Sequence, residues 1–522
     1  MSGSRKISFR QFGLALLSGI LLFGSFSLPG GVSLFPLAWV ALVPLLIAVR
    51  QAAPRRAFLL GFLAGFTGCF GIYYWIPYCM INYADMSRPL AYLALFLLVL
   101  ILAGYPALFT WLWAVFQRRS ALPAVIIGPL LWVSLEYIRT YFPLGGFPWA
   151  LLGNSQYKFL QSIQVAELGG VYLVSWLVAL VNFGIAGVLQ KTPAGQRAWK
   201  GLVLAAACFA AAVVYGQVRM KQVDAAFAQK PELKVGIVQG NIDQGEKWNS
   251  QLFWASMVRH IELSKDLLRE PKDLLIWPEA AVTDYFNLAW QDQDQIAKSL
   301  SGFDAYFLFG AVSKKQTGEQ KQYFNSAYML SPNGEKLLGQ YDKIHLVPFG
   351  EYVPLKKLLF WVDAIAGGNT GDTDPGDKVL VFDTGSYRIG CVICYEVIFP
   401  GLVRKFVKAG AQVMSTVTND AWFGPTSAPH QHYSTMIFRA VENRVYFIRA
   451  ANTGISGVCD PCGRTIAQSQ IYEVAQLEAG VKRSSLRTLY TRLGDWFALS
   501  CLGLTLAALA FILINGGKNA DR

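Results

Sequence analysis

Long uncharged stretches alternate with short polar connections over the first 216 residues, and then the pattern changes. A bilayer core of roughly 30 Å takes about 20 apolar residues in a helix. Eight runs approach that length: residues 12–28, 33–49, 57–78, 90–116, 121–135, 169–189, 201–215 and 496–514. Each predicts a membrane helix. The seventh is short and Ala-rich, and the fourth is long enough to tilt or to break at Gly104 and Pro106. The first follows a basic start, as a secretory signal would, but its apolar length and the lack of a small-x-small site predict a retained anchor.

Between residues 217 and 492 no run qualifies, and the pattern becomes that of alternating strands and helices. Apolar stretches rich in β-branched and aromatic residues, bounded by Gly, Pro, Asn or Asp, predict strands at 233–239, 273–277, 305–312, 323–330, 387–394, 412–418 and 446–452. Helical periodicity lies between them at 251–270, 291–300 and 432–443. The segment is large enough for one α/β domain.

Charge settles what kind of partner the basic excess implies. The 522-residue chain is 54% hydrophobic and 15% charged, with a formal charge of +13. Residues 217–492 hold 30 basic and 28 acidic side chains, so most of the excess belongs to the helical part. Assigning the short connections alternately to two sides puts 13 basic residues on one and only Arg88, Arg139 and Lys158 on the other. By the positive-inside rule both termini are cytoplasmic and the α/β segment lies outside. A nucleic-acid partner loses its main support. Eight Cys in 522 residues also exclude a disulfide-dense mini-protein.

In α/β domains chemistry gathers where strands stop, and three strand ends carry unusual groups. Trp277-Pro278-Glu279 ends one strand with a Pro that stops the ladder, although a Glu in a turn is most often only a surface residue. In Tyr341-Asp342-Lys343-Ile344-His345 charges interleave with apolar residues ahead of Pro348, Gly350 and Glu351, the pattern of a loop with paired charges and Lys343 as a fixed cation, or of a structural ion pair. Gly390-Cys391-Val392-Ile393-Cys394-Tyr395-Glu396 delivers Cys394 to a turn beside an acid; such a Cys is more often inert, but is a nucleophile if a cation lowers its pKa. Together they supply an acid/base, a cation and a thiol.

Cys391-x-x-Cys394 and Cys459-x-x-Cys462 also raise a zinc site, but the spacer is long and strand spacing turns Cys391 and Cys394 to opposite faces. Cys459-Asp460-Pro461-Cys462-Gly463 reads as a turn whose thiols could pair in an oxidising exterior. The four His residues form no Ser-His-Asp or Cys-His arrangement, and His430-x-His432 lacks a third metal ligand.

On these strings the chain resembles the apolipoprotein N-acyltransferase family, a membrane branch of the nitrilase superfamily. The resemblance extends to Val238-Gln239-Gly240-Asn241, Lys247-Trp248, Asn419-Asp420-Ala421-Trp422-Phe423-Gly424 and, in the helical part, Gly146-Phe147-Pro148-Trp149 with Ser155-Gln156. It implies a polytopic α-helical membrane protein of eight transmembrane helices with an inserted α/β nitrilase-like αββα sandwich. Seven helices would occupy 1–216, a periplasmic catalytic domain 217–492, and the eighth helix with a cytoplasmic tail 493–522. The implied site is a triad of Glu279, Lys343 and Cys394, with Trp248, Glu351, Tyr395, Glu396 and Asn419 as pocket or loop support and Trp248 with residues 347–354 as loops over it. The implied reaction, in the bacterial inner membrane, moves an acyl chain from a phospholipid such as phosphatidylethanolamine, through a Cys394 thioester, to the α-amino group of a diacylglyceryl apolipoprotein. No cofactor and no metal is required. Two other readings stay open: a membrane-anchored nitrilase-type amidase or lipid ester hydrolase, and a lipid or lipoprotein binding protein with a degenerate domain.

Overall fold

The computed structural model describes residues 7–119, 122–190, 198–249, 251–286, 303–317, 319–354 and 373–518. The chain forms two compact units. One takes Met1–Pro77, Pro89–Met220 and Leu493–Arg522, the other Tyr78–Arg88 and Lys221–Arg492. The short stretch Tyr78–Arg88 thus belongs with the second unit, although it sits between apolar runs of the first.

The first unit is helical. Its main helices are α1 Phe9–Gly24, α2 Val43–Val49, α3 Pro54–Tyr73, α4 Arg88–Arg119, α5 Ala124–Tyr141, α6 Val171–Leu189, α7 Trp199–Ala228 and α11 Trp496–Lys518. Among the described residues five are long and apolar enough to cross a membrane: α3, α4, α6, α7 and, through Ile514, α11. The apolar run 33–49 is broken, with a 3₁₀ turn at Phe35–Trp39 ahead of α2. Backbone groups freed at such a break need partners where water is absent. Asn182 on α6 supplies them, accepting from Leu42 N–H (2.8 Å) and donating to the Ala38 carbonyl (2.9 Å). Helix α4 runs unbroken through Gly104 and Pro106, and Thr110 Oγ1 ties it to the Ala57 carbonyl of α3 (2.7 Å). Helix α7 continues well beyond the apolar run 201–215, where Gln217, Arg219, Met220, Lys221, Gln222, Ala225, Ala226 and Ala228 are good helix formers.

The second unit holds two sheets. In the first, β1 Glu232–Gln239, β2 Leu274–Ile276 and β4 Tyr306–Thr317 run parallel; β3 Val282–Tyr285 pairs with β4, and β5 Gln320–Leu330, β6 Leu337–Asp342 and β13 Ala475–Lys482 complete the order β13-β1-β2-β4-β5-β6. In the second, β8 Arg388–Ile393, β9 Val413–Thr418 and β10 Tyr446–Ala451 are parallel, flanked by β7 Val381–Asp383 on one side and by β11 Gly457–Cys459 and β12 Thr465–Gln468 on the other. The sheets meet face to face, β1 against β10 and β5 against β8. Helix α8 Phe253–Leu267 lies against β1 and β13; α9 Pro400–Lys408 lies against β8, and α10 Ala428–Asn443 against β10 and β11. The layers are therefore helix, sheet, sheet, helix.

All seven expected strands form, with ends shifted by up to five residues. The helix expected at 291–300 lies outside the described residues. Under α8, a core of Val238, Met257, Leu275, Trp277, Phe307 and Phe309 fills the first interlayer space. Trp277 is wholly buried and still satisfied, donating its ring N–H to Ser264 Oγ (2.7 Å).

Candidate active site

The β2 strand hands the chain to Glu279 through a fixed turn. Trp277 N–H still bonds across to the Leu308 carbonyl (2.9 Å) and Gly310 N–H to the Pro278 carbonyl (3.2 Å). Ala280 then takes a left-handed conformation, φ 45°, which a side chain adopts only under constraint. The turn leaves the Glu279 carboxylate 6% exposed. Its Oε1 accepts from Asn325 Nδ2 (2.7 Å), and its Oε2 is buried with no hydrogen-bond partner among the described residues.

Lys343 follows the last residue of β6 and is 1% exposed. Its main-chain N–H donates to the Asn325 carbonyl (2.9 Å), so one β5 residue contacts both Glu279 and Lys343. The ammonium lies 2.8 Å from Glu351 Oε1 and 3.6 Å from Glu279 Oε1. Burial alone would depress its pKa, but Glu351 and then Glu279 outweigh burial and hold it above the ordinary lysine range. Glu351 in turn accepts from Val347 N–H (2.8 Å) through its other oxygen and from Asn325 Nδ2 (3.2 Å). It therefore clamps the lysine and its own loop together.

Cys394 comes from the other sheet, where β8 stops. Its φ of 50° is left-handed, and its carbonyl lies 3.2 Å from His432 Nε2. The thiol is 6% exposed. Burial first, and the Glu279 charge second, push its pKa up to about 12, with Lys343 pulling the other way. The resting sulfur is a protonated thiol that needs a base. Cys391 stays inside β8 and is pushed up to about 12 chiefly by burial.

Glu396 joins the Cys394 turn to the Lys343 loop. Its carboxylate accepts from Ile393 N–H (2.7 Å), Ile344 N–H (2.7 Å), His345 N–H (3.0 Å) and Tyr341 O–H (2.8 Å). Tyr395 packs its ring on Phe399. Asn419, after β9, donates to Gln244 Oε1 (2.6 Å) and accepts from Asn452 Nδ2 (3.1 Å), tying strand ends to the Gln244–Lys247 turn. Trp248, next to that turn, is 52% exposed.

Three residues here carry no role in the sequence reading, although two of them, Lys247 and Asp420, lie in strings quoted there. Asn325 bridges Glu279 and Glu351. Lys247 donates to the Glu279 carbonyl (2.8 Å). Asp420 accepts from Arg449 (2.5 Å) and faces His432 Nδ1 (2.9 Å) beneath Cys394; burial would raise its carboxyl, but Arg449 and His432 hold it down to about 2. The string after Asn419 contained Asp420, whereas nothing local marked Asn325 in a polar-apolar strand.

At the second Cys pair Cys459 and Cys462 are not joined in a disulfide. Asp460 Oδ1 accepts from Cys462 N–H (2.8 Å) and Arg464 N–H (2.9 Å), which accounts for the turn. Asp224, Asp460 and Cys462 bring ligand atoms within 4.8 Å of one another, but Arg464 already sits among them, 2.5 Å from Asp224 and 3.3 Å from Asp460.

Comparison with known proteins spans both units. Residues 18–184 match the apolipoprotein N-acyltransferase N-terminal domain, and residues 234–490 match carbon-nitrogen hydrolase. The apolipoprotein N-acyltransferase of Geobacter metallireducens is 40% identical over 512 residues, 96% of this chain and 95% of that protein. That of Rickettsia prowazekii is 32% identical over 493 residues, 93% and 94% of the two chains. Among solved structures, Saccharomyces cerevisiae Nit3, of branch 10 of the nitrilase superfamily, aligns with 48% of this chain and 90% of its own at 19% identity and a TM-score of 0.37. With relatives this similar from end to end, through the helical unit and the hydrolase-type unit alike, the chain belongs to the apolipoprotein N-acyltransferase family.

Proposed function

We propose that the protein moves an acyl chain from a membrane phospholipid to the α-amino group of an S-diacylglyceryl cysteine at the N-terminus of an apolipoprotein, through a thioester on Cys394. The observation that carries this reading is the convergence of Glu279, Lys343 and Cys394 from three strand ends of two sheets, each nearly buried. Glu279, with one buried oxygen free of partners among the described residues, takes the thiol proton. The thiolate attacks the ester carbonyl, and the Lys343 ammonium faces the oxyanion, a role whose removal costs about two to three powers of ten in rate. The glycerol oxygen leaves with the proton from Glu279, releasing a lysophospholipid. Glu279 then takes a proton from the incoming amine, the amine attacks the thioester, and Cys394 leaves and recovers its proton. No metal or redox cofactor enters these steps.

The finer arrangement is part of the same proposal: eight spans, seven within 1–216 and one within 493–522, both termini cytoplasmic, the domain 217–492 periplasmic and phosphatidylethanolamine as donor. Its support is the asymmetry of basic residues between alternate connections. The exposed side chains of Trp248 and Phe349 suit loops that meet acyl chains, which are costly to extract into water at about 0.8 kcal/mol per CH₂.

The test is purified full-length protein in vesicles of phosphatidylethanolamine with a diacylglyceryl-cysteine peptide. Amide-linked acyl peptide from the wild type and none from Cys394→Ser is the expected outcome. Release of free fatty acid with no acylated peptide would make the protein a lipid ester hydrolase instead.

A further inference from the structure

Two buried lysines stand at this site, and their charges are used differently. Lys343 is paired with Glu351 and Glu279. Lys247, 4% exposed, has no ion pair among the described residues, and the one hydrogen bond of its ammonium there goes to the neutral Glu279 carbonyl. It closes the one-turn helix Gln244–Lys247, which Asp243 caps by accepting from Gly245 N–H (2.8 Å) and which Asn419 holds through Gln244. A buried ammonium without a carboxylate is costly to keep. Negative charge arriving on the reaction path would relieve that cost, and only interactions stronger in the transition state accelerate the chemistry.

We propose that Lys247 is a positioning residue of the acyl-transfer site, holding Glu279 by its main-chain carbonyl while its unpaired charge stabilises the thiolate of Cys394. This rests on Cys394 being the nucleophile. The groups that face Lys247 electrostatically are Glu279, Cys394 and His260, with Asp243 and Glu246 on its own turn, Arg259 beside His260, and Lys343 opposite Glu279. Burial brings Lys247 down to about 8 against the pull of Glu279 and Cys394, whereas His260 is held near 4 and Lys343 stays charged. Among these, Lys247 is the one whose charge is lost as pH rises through 8.

The experiment is the rate of iodoacetamide alkylation of Cys394, read by peptide mass analysis on the full chain in detergent from pH 6 to 10. The expected wild-type rate climbs with pH and flattens above about 8. In Lys247→Arg the flattening disappears, and in Lys247→Met the rate at pH 7.5 falls about tenfold or more, the equivalent of one pKa unit. Equal losses in the Met and Arg variants, or a Met variant that alkylates at the wild-type rate, overturns the proposal. Should Lys247→Met fail to fold, the bend in the wild-type and Arg profiles decides alone: an unchanged bend refutes the role. Acyl transfer is assayed on the same wild-type preparation, so failure of the transferase reading shows as absent acyl-Cys394 and is distinct from a negative alkylation result.

Discussion

Gly310 and Glu279 approach so closely that a Cβ on Gly310 would sit 2.6 Å from the Glu279 Cα and 2.8 Å from the Pro278 oxygen. The obstacle is backbone, which cannot swing away as a side-chain end would. Glycine in the middle of an apolar strand is therefore part of the Glu279 site. Gly310→Ala is expected to displace the carboxylate and lower kcat by about tenfold to a hundredfold, in line with the cost of a misplacement near 1 Å. Transfer rates, with the thermal midpoint as a check on folding, test this.

Asn325 holds Glu279 and Glu351 apart by donating to both, at 2.7 and 3.2 Å. Asn325→Ala leaves the buried Glu279 and the half-buried Glu351 competing for the Lys343 ammonium, and Asn325→Asp adds a third negative group. The Asp variant should lose more activity than the Ala variant, by at least another tenfold at pH 7.5. The order reverses if Asn325 only fills space.

Glu396 receives four donors from the ends of β6 and β8 and the loop after β6, so its removal orphans them all. Glu396→Gln turns one acceptor into a donor facing buried N–H groups, each costing about 1–3 kcal/mol when unpaired. A drop of about 5–10 °C in the unfolding temperature of the domain is expected together with loss of transfer. Unchanged stability would mean that the loop and the Cys394 turn are held by other means.

His260 links stability to pH. It is wholly buried, shares hydrogen with the Ser256 carbonyl through Nδ1 (2.8 Å), and packs on Trp277. Burial lowers its pKa from 6.5 to about 4. Above pH 6.5 it is neutral folded or unfolded; below, the unfolded chain binds the proton first, so stability falls from pH 6.5 down through 4, by roughly 3 kcal/mol in all. His345, also held near 4, adds to the same window. The thermal midpoint should fall with acidification over this range, and His260→Phe should make the slope shallower without abolishing it.

Much of the candidate site is legible in the sequence because its residues interrupt their surroundings. Pro278 and the turn at Cys394 each end an apolar strand, and the charge at Lys343 interrupts a run of apolar residues; strand ends are where α/β folds put chemistry. Gly310 and Asn325 lie inside a hairpin, and their roles depend on the register of β4 with β5, where Val312 faces Asn325. Register is a long-range property that local pattern does not report. The polar edge strand β13, Ala475–Lys482, was invisible for a related reason: its residues are half exposed, and its strand character comes from pairing with β1. In the helical unit hydropathy marked the runs, but the break before α2 is satisfied by Asn182, more than 100 residues away in the chain.

In the proposed reaction Cys394 carries the acyl chain. Incubating the full-length protein with phosphatidylethanolamine labelled on the acyl chain, without acceptor, then digesting and weighing the peptides, tests it most directly. One labelled thioester is expected on the peptide containing Cys394, lost on adding a diacylglyceryl-cysteine peptide and absent in Glu279→Gln. Label on Cys391 or on any other residue, or transfer to the acceptor by a Cys394→Ser protein, would contradict it.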